Sequence, residues 1–183
     1  MMKDFEVRSV TLQADNQKLI GYVVRWNSQS KPLWDFIEQF APNAFAESLA
    51  EGQDVRALFE HDHTKLLGRT AAGTLSLVED NTGLRFELVP PDTTLGRDLL
   101  VSVERGDITG MSFGFRTLSD SWDFEQEPIL RTVNRAELVE ITITSIPAYP
   151  ESSVQLAKRS MADARKRQQP SALLNRWAEL AGV

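Results

Sequence analysis

Alternating apolar and polar residues predict β-strands along much of the chain. Residues 5–12 and 18–26 both alternate, and Asp15-Asn16 between them favours a tight turn, so these runs predict an opening hairpin. Further strand patterns cover residues 33–40, 54–60, 66–78, 84–89, 110–118 and 129–143. The sequence DNTG at 80–83 is typical of a second hairpin, and the polar segment ending at Pro128 predicts the tip of a third.

Helical spacing is confined to short segments. Within residues 1–157 two segments show it: residues 44–50, which stop at Gly52, and residues 95–105, with Thr93 or Thr94 as the N-cap and Gly106 as the stop. Many strands and few helices predict a mainly β fold, a β-barrel or sandwich with peripheral α-helices, over residues 1–157.

Composition sets the size and class of this domain. Of the 183 residues, 42% are apolar, which is enough for one sizeable core. No apolar run approaches the roughly 20 residues that a membrane-spanning helix needs. The opening sequence MMKDFEVRSV lacks the apolar stretch of a secretory signal, so we expect a cytoplasmic protein.

Charge divides the chain into two parts. The net charge is −6, but residues 158–183 contain six basic and two acidic residues, so this segment carries +4 and the remainder −10. An acidic domain is a poor match to nucleic acid, whose phosphates require clustered Lys and Arg. We expect residues 158–183 to form a basic flexible tail. Within it, a short amphipathic helix is predicted from Leu173, Leu174, Trp177 and Leu180.

Few residues are available for catalysis. Cysteine is absent, which excludes disulfides and thiol chemistry, and the two histidines, His61 and His63, lie together in the sequence EHDH. If the strand over residues 54–60 runs on, His61 shares a face with Ala57 and Phe59. A metal site formed by the H-D-H triplet is one interpretation, although adjacent strand residues point to opposite faces. A turn with solvated histidines is another.

The sequence GMSFG at 110–114 fits the G-x-S-x-G pattern of nucleophilic serines. In α/β-hydrolases a helix and later a histidine follow that serine, whereas here a strand pattern continues and no histidine follows Ser112. The alternation places Met111, Phe113 and Phe115 on one face and Ser112, between two glycines, on the other. Such a hydroxyl is open to close approach by a substrate backbone. A serine that merely packs within a glycine-rich strand would have the same pattern.

One carboxylate lies within a strongly β-branched run. Glu140 belongs to the sequence LVEITITSIPAYP, residues 138–150, where an isolated buried carboxylate costs free energy unless it is paired or hydrogen-bonded. Such a group could orient a histidine and stabilise its protonated form. A surface glutamate on the exposed face of an edge strand is the alternative interpretation.

Three motifs, taken in order, resemble a known family. They are FEHDHTKLLGR at 59–69, DITGMSFGF at 107–115 and LVEITITSIPAYP at 138–150, and they resemble the tailed-phage prohead proteases, also called capsid maturation proteases. Two further sequences look like the same family, GYVVRWNS at 21–28 and FAPNAFAESL at 40–49. The resemblance covers about residues 19–154.

The resemblance implies a serine endopeptidase with an assemblin-like fold, a β-barrel wrapped by helices as in herpesvirus assemblin. By motif, His61 is the general base and Ser112 the nucleophile, and we place Glu140 third because no second histidine follows. Backbone N–H groups would stabilise the oxyanion, with Ala148 and Tyr149 as candidates by analogy with assemblin. No cofactor and no metal is expected.

The resemblance also implies partners and a location. The expected substrates are the major capsid protein or a scaffold protein, and the protease itself, inside the prohead in the host cytoplasm. Self-association into a homo-oligomer is compatible with this interpretation. Neither a membrane nor a specific nucleic acid is expected as a partner. Two alternatives stay open: a non-enzymatic capsid scaffold or assembly protein, and a metal-dependent hydrolase that uses the H-D-H triplet.

Overall fold

The structure is a computed structural model that describes residues 6–15, 17–145 and 151–168. In this part of the chain the strands are Glu6–Asp15 (β1), Lys18–Arg25 (β2), Phe36–Phe40 (β3), Arg56–Phe59 (β4), Asp62–Arg69 (β5), Leu75–Glu79 (β6), Gly83–Leu88 (β7), Gly110–Asp123 (β8) and Ile129–Thr144 (β9). The helices are Ala46–Ala50 (α1), Thr94–Glu104 (α2) and Glu151–Gln168 (α3). A 3₁₀ turn, Thr70–Ala72, joins β5 to β6.

The strands share one sheet built around the long hairpin of β8 and β9. The order is β5-β4-β9-β8-β1-β2-β7-β6, and β3 also pairs with β9. β8 and β9 are antiparallel, and so are the predicted hairpins β1-β2 and β6-β7, which the structure confirms. β3 and β4 both join β9 in parallel, β3 near its start and β4 near its end. β9 therefore pairs with three other strands, β3, β4 and β8.

The mainly β class is confirmed, but the predicted barrel is wrong because the sheet is not closed. The two ends of the sheet approach each other closely at Gly68, where an added Cβ would lie 2.6 Å from Leu88 Cδ1. However, the Arg69 N–H donates to the Thr74 hydroxyl at 2.9 Å, and the Thr74 carbonyl accepts from the Val89 N–H in an extension of the β6-β7 pairing. The Arg69 N–H is thus satisfied by a side chain rather than by a closing ladder between β5 and β6. The likeness to assemblin stays a prediction.

The core lies on one face of the central strands. Met111, Phe113 and Phe115 of β8 are buried together, as the alternation predicted. Phe40 of β3 meets the rings of Phe113 and Phe115 at centroid distances of 5.8 and 5.1 Å, both edge-on. Ser112 consequently faces the opposite side of the sheet.

Helix α2 confirms its predicted ends. The Thr93 side chain accepts a hydrogen bond from the backbone N–H of Gly96 at 3.3 Å, so Thr93 rather than Thr94 is the N-cap. Gly106 follows the helix with a φ of +80°, a conformation that glycine adopts without steric cost.

A buried ionic cluster lies near the turn that connects β8 to β9. Arg131 Nη1 donates to Glu38 Oε2 at 2.7 Å, Nε to Asp120 Oδ2 at 2.8 Å and Nη2 to Thr117 Oγ1 at 2.9 Å. The hydroxyl of Ser160, on α3, also donates to Asp120 Oδ2, at 2.6 Å. The cluster thus ties α3 to the sheet. We call these five residues the Arg131 cluster.

Helix α3 runs across residue 157, where the domain was predicted to end. Its Ala157 and Met161 are buried against Leu33, Phe36 and Trp122. The predicted amphipathic segment at residues 173–180 lies outside the described residues, and the division of the chain at residue 157 stays a prediction. No helix within the described ranges has the length and hydropathy that crossing a bilayer requires.

Candidate active site

Ser112 lies in the middle of a continuous strand. β8 pairs with β1 on one side and with β9 on the other, and Ser112 is directly opposite Thr142 of β9. The Ser112 side chain is fully buried on the face opposite the core. No elbow or helix follows it, which agrees with the strand pattern and excludes the α/β-hydrolase geometry.

Glu140 lies on the same face of the sheet, on the neighbouring strand. It is opposite Gly114 of β8 and is only 2% exposed, so the interpretation of a surface glutamate is wrong. Residues two apart on a strand share a face, so Thr142 stands next to Glu140 and across from Ser112.

His61 reaches this face through a turn, not by extension of β4. The strand ends at Phe59, and Glu60 and His61 both have left-handed backbone conformations, with φ values of +52° and +55°. This conformation is rare for residues other than glycine and costs free energy wherever the surroundings impose it. It takes His61 away from the core face of Ala57, where continuation of the strand would have placed it. His61 Nδ1 instead lies 3.1 Å from Glu140 Oε1.

The carboxylate of Glu60 holds this strained turn in place. It accepts hydrogen bonds from the Thr144 hydroxyl at 2.7 Å and from the Ser145 backbone N–H and hydroxyl at 2.8 Å each. Burial alone would raise the pKa of Glu60, but these hydrogen bonds and the nearby His61 hold it below its ordinary value of 4.5. Sequence reasoning missed Glu60, because its partners are more than 80 residues away along the chain.

The contact with Glu140 determines which nitrogen of His61 is free. An ionised carboxylate only accepts hydrogen bonds, so the contact requires the proton on Nδ1 and leaves Nε2 as the acceptor. Glu140 and Ser112 are diagonal neighbours on adjacent strands, which places their side chains about 7–8 Å apart. One imidazole is long enough to span such a separation, but in this structure His61 Nε2 makes no hydrogen bond to Ser112 Oγ.

Unpartnered polar atoms are concentrated at this site. Within the described part of the chain, three buried side-chain atoms lack a hydrogen-bond partner: His61 Nε2, Ser112 Oγ and Thr142 Oγ1. All three belong to the face just described. A free imidazole nitrogen together with a serine hydroxyl is the combination that nucleophilic catalysis requires. The sequence singled out His61, Ser112 and Glu140, but not Thr142, which resembled an ordinary β-branched strand residue.

The other members of the H-D-H triplet point elsewhere. The Asp62 carboxylate accepts hydrogen bonds from the Thr64 N–H at 2.9 Å and the Thr64 hydroxyl at 2.6 Å, and these contacts lower the pKa of Asp62. His63 is exposed. Among the residues that the structure describes, no three His, Cys, Asp or Glu side chains are grouped to hold a metal ion. The candidate oxyanion donors Ala148 and Tyr149 lie outside the described residues.

Comparison with known proteins gives one match. A family model for the caudovirus prohead serine proteases matches residues 3–167, a range that contains His61, Ser112 and Glu140. No curated protein and no solved structure matches the chain.

Proposed function

The chain belongs to the caudovirus prohead serine protease family, and from that membership we propose that it is a serine endopeptidase with Ser112, His61 and Glu140 as its catalytic residues. One observation carries the assignment. The hydrogen bond from His61 to the buried Glu140, 3.1 Å long, leaves Nε2 free on the face that also holds the unpartnered Ser112 hydroxyl.

The reaction is an acyl transfer in two steps. Ser112 Oγ attacks the carbonyl carbon of the scissile peptide bond while His61 Nε2 takes the hydroxyl proton. His61 then gives this proton to the leaving amine as the C–N bond breaks, which leaves an ester on Ser112. A water molecule then attacks the ester carbonyl while Nε2 takes a proton from it. His61 returns this proton to Ser112 Oγ as the bond between Oγ and the acyl carbon breaks, which releases the acid and regenerates the serine. Glu140 orients the ring and stabilises the imidazolium that forms in both steps.

The proposed substrates are capsid components. Prohead serine proteases serve capsid maturation, which favours the major capsid protein or a scaffold protein as the substrate, inside the prohead in the host cytoplasm. We include self-cleavage within the basic segment 158–183. The charge of that segment differs from the acidic remainder of the chain, which supports a separate role for it.

The test compares three proteins: wild type, Ser112→Ala, and Ser121→Ala as the matched control. Ser121 is an exposed serine on the same strand. Each is incubated with and without the capsid and scaffold proteins encoded beside it, and intact masses are followed over hours. We expect wild type and Ser121→Ala to cut a capsid component or themselves, and Ser112→Ala to cut neither. Identical masses for all three proteins, with the partners present, would favour the non-enzymatic scaffold protein instead.

A further inference from the structure

Among the residues that the structure describes, Thr142 carries the one unpartnered buried hydroxyl that the proposed mechanism leaves without a role. We propose that Thr142 is a further catalytic residue, whose hydroxyl donates a hydrogen bond to the oxyanion that forms when Ser112 attacks the substrate. This inference rests on the function proposed above. It names a side-chain donor in addition to any backbone donors.

The strand register places Thr142 within reach of the reacting atoms. It is directly opposite Ser112 on β8, and side chains in such pairs have Cβ atoms about 4.5–5.5 Å apart on the same face of the sheet. A carbonyl carbon bonded to Ser112 Oγ would therefore carry its oxygen within range of the Thr142 hydroxyl. Thr142 is completely buried, so water does not compete for this donor.

Apart from Ser112, the residues beside Thr142 on this face either offer no polar side-chain group or contact other residues. On its other side lies Leu58 of β4, which offers no side-chain acceptor. Along β9 on the same face, Glu140 contacts His61, and the hydroxyl of Thr144 donates to Glu60 at 2.7 Å. Thr144 thus shows how a threonine on this face is satisfied when its role is structural.

A buried hydroxyl without a hydrogen-bond partner destabilises the folded protein, and such a cost persists where function requires it. Oxyanion donors have this property, because they are oriented in advance toward charge that develops only in the transition state. Ser112 donates its proton to His61 in the mechanism and so cannot serve as this donor. The substrate carbonyl oxygen would supply the acceptor that Thr142 lacks.

The test uses a fluorophosphonate probe, which needs no knowledge of the natural substrate. Ser112 Oγ bonds to phosphorus, fluoride leaves, His61 takes the hydroxyl proton, and the phosphonyl oxygen occupies the place of the oxyanion. Thr142→Val removes the hydroxyl and keeps the branched shape, whereas Thr142→Ser keeps the hydroxyl. Thr132→Val is the matched control, since Thr132 lies on the same strand and its hydroxyl is partnered by Gln39 at 3.1 Å.

We expect Thr142→Val to lower the maximal labelling rate by about 100-fold, the usual loss for one oxyanion donor, while the probe concentration at half-maximal rate stays the same. Thr142→Ser and Thr132→Val should label within about threefold of wild type, a difference smaller than the loss of one hydrogen bond. The melting temperature of Thr142→Val should not fall, whereas a purely structural role would lower it.

Two outcomes would overturn the inference alone. One is labelling of Thr142→Val at the wild-type rate while Ser112→Ala is unlabelled, and the other is equal losses in Thr142→Val and Thr142→Ser. Absence of labelling at Ser112 in the wild-type protein would instead overturn the proposed function, and this inference with it.

Discussion

Two buried polar clusters lie on the β8-β9 hairpin, and they differ in how their polar groups are satisfied. In the Arg131 cluster, three nitrogens of one guanidinium donate to Glu38, Asp120 and Thr117, and Arg131 is only 1% exposed. In the cluster around Ser112, one hydrogen bond joins His61 to Glu140, and three other atoms stay unpartnered within the described part of the chain.

The contrast separates a structural cluster from a candidate catalytic one on the same two strands. A buried polar group normally finds partners, and a buried group without one calls for an explanation other than stability. The Arg131 cluster uses its hydrogen bonds to fix β3, β8, β9 and α3 relative to one another. The Ser112 cluster leaves one imidazole nitrogen and two hydroxyls without partners, as the proposed reaction requires. Substitutions should therefore change stability at one end of the hairpin and activity at the other.

The largest effect on activity is expected from Ser112→Ala. Loss of a serine nucleophile lowers the rate of a triad protease by about 10⁶-fold. The melting temperature should stay the same or rise, because the substitution removes a buried hydroxyl that has no partner. Peptidase assays and thermal unfolding of the same preparations measure both quantities. A large loss of stability would place Ser112 with the structural residues and remove the contrast.

Glu140→Gln should lower the rate next most strongly, by about 10⁴-fold. The amide can offer an N–H to His61 Nδ1, which favours the tautomer with its proton on Nε2 and so removes the base that faces Ser112. The rate of fluorophosphonate labelling reports this loss directly. Glu137→Gln is the control, since Glu137 is on the same strand and pairs with Arg116 at 2.8 Å, away from the site. Less than a tenfold loss for Glu140→Gln would contradict its role.

Arg131→Met should lower stability and leave activity unchanged, the reverse of the effect expected for Ser112→Ala. Removing one partner of a buried ion pair is strongly destabilising, and loss of the Arg131–Glu38 pair should cost about 3–5 kcal/mol of stability. For a domain of this size the melting temperature should fall by about 6–20 °C. At a temperature where the variant is folded, its labelling rate should match that of wild type. Recovery of stability when Glu38→Gln is added would identify the carboxylate of Glu38 as the cause of the loss.

The smallest effect should come from Glu60→Gln, and it should depend on pH. The pKa of Glu60 lies below its ordinary value of 4.5 in the folded protein, so the ionised form stabilises the fold. That stabilisation is complete above pH 4.5 and is lost as the pH falls through the folded pKa. The free energy of unfolding of wild type should therefore decline more steeply between pH 6 and pH 3 than that of Glu60→Gln. Parallel slopes for the two proteins would contradict this prediction. Substitution of the exposed Glu127 by Gln controls for the loss of one charge.

Local patterns predicted the elements better than their arrangement. The alternation around Ser112 and the capping residues of α2 depend on neighbours in the chain, so both were predictable from the sequence. Closure of the sheet depends on where distant strand ends meet, and the barrel prediction failed there, at the turn that contains Thr74. The strand over residues 54–60 was predicted to within one residue of its end, but the turn after it was not. The left-handed backbone of Glu60 and His61 depends on contacts with residues 144 and 145, far along the chain.

The sequence by itself determined the short set of reactive groups in this protein. With no cysteine and two histidines, any imidazole mechanism had to use His61 or His63. The family motifs favoured His61 and Ser112, and Glu140 was placed third because no second histidine follows. Only the tertiary structure decided that His61, and not His63, contacts Glu140, and that Thr142 stands unpartnered beside Ser112. The physical reason is that strand register brings together residues far apart in the chain, whereas sequence patterns report only local preferences.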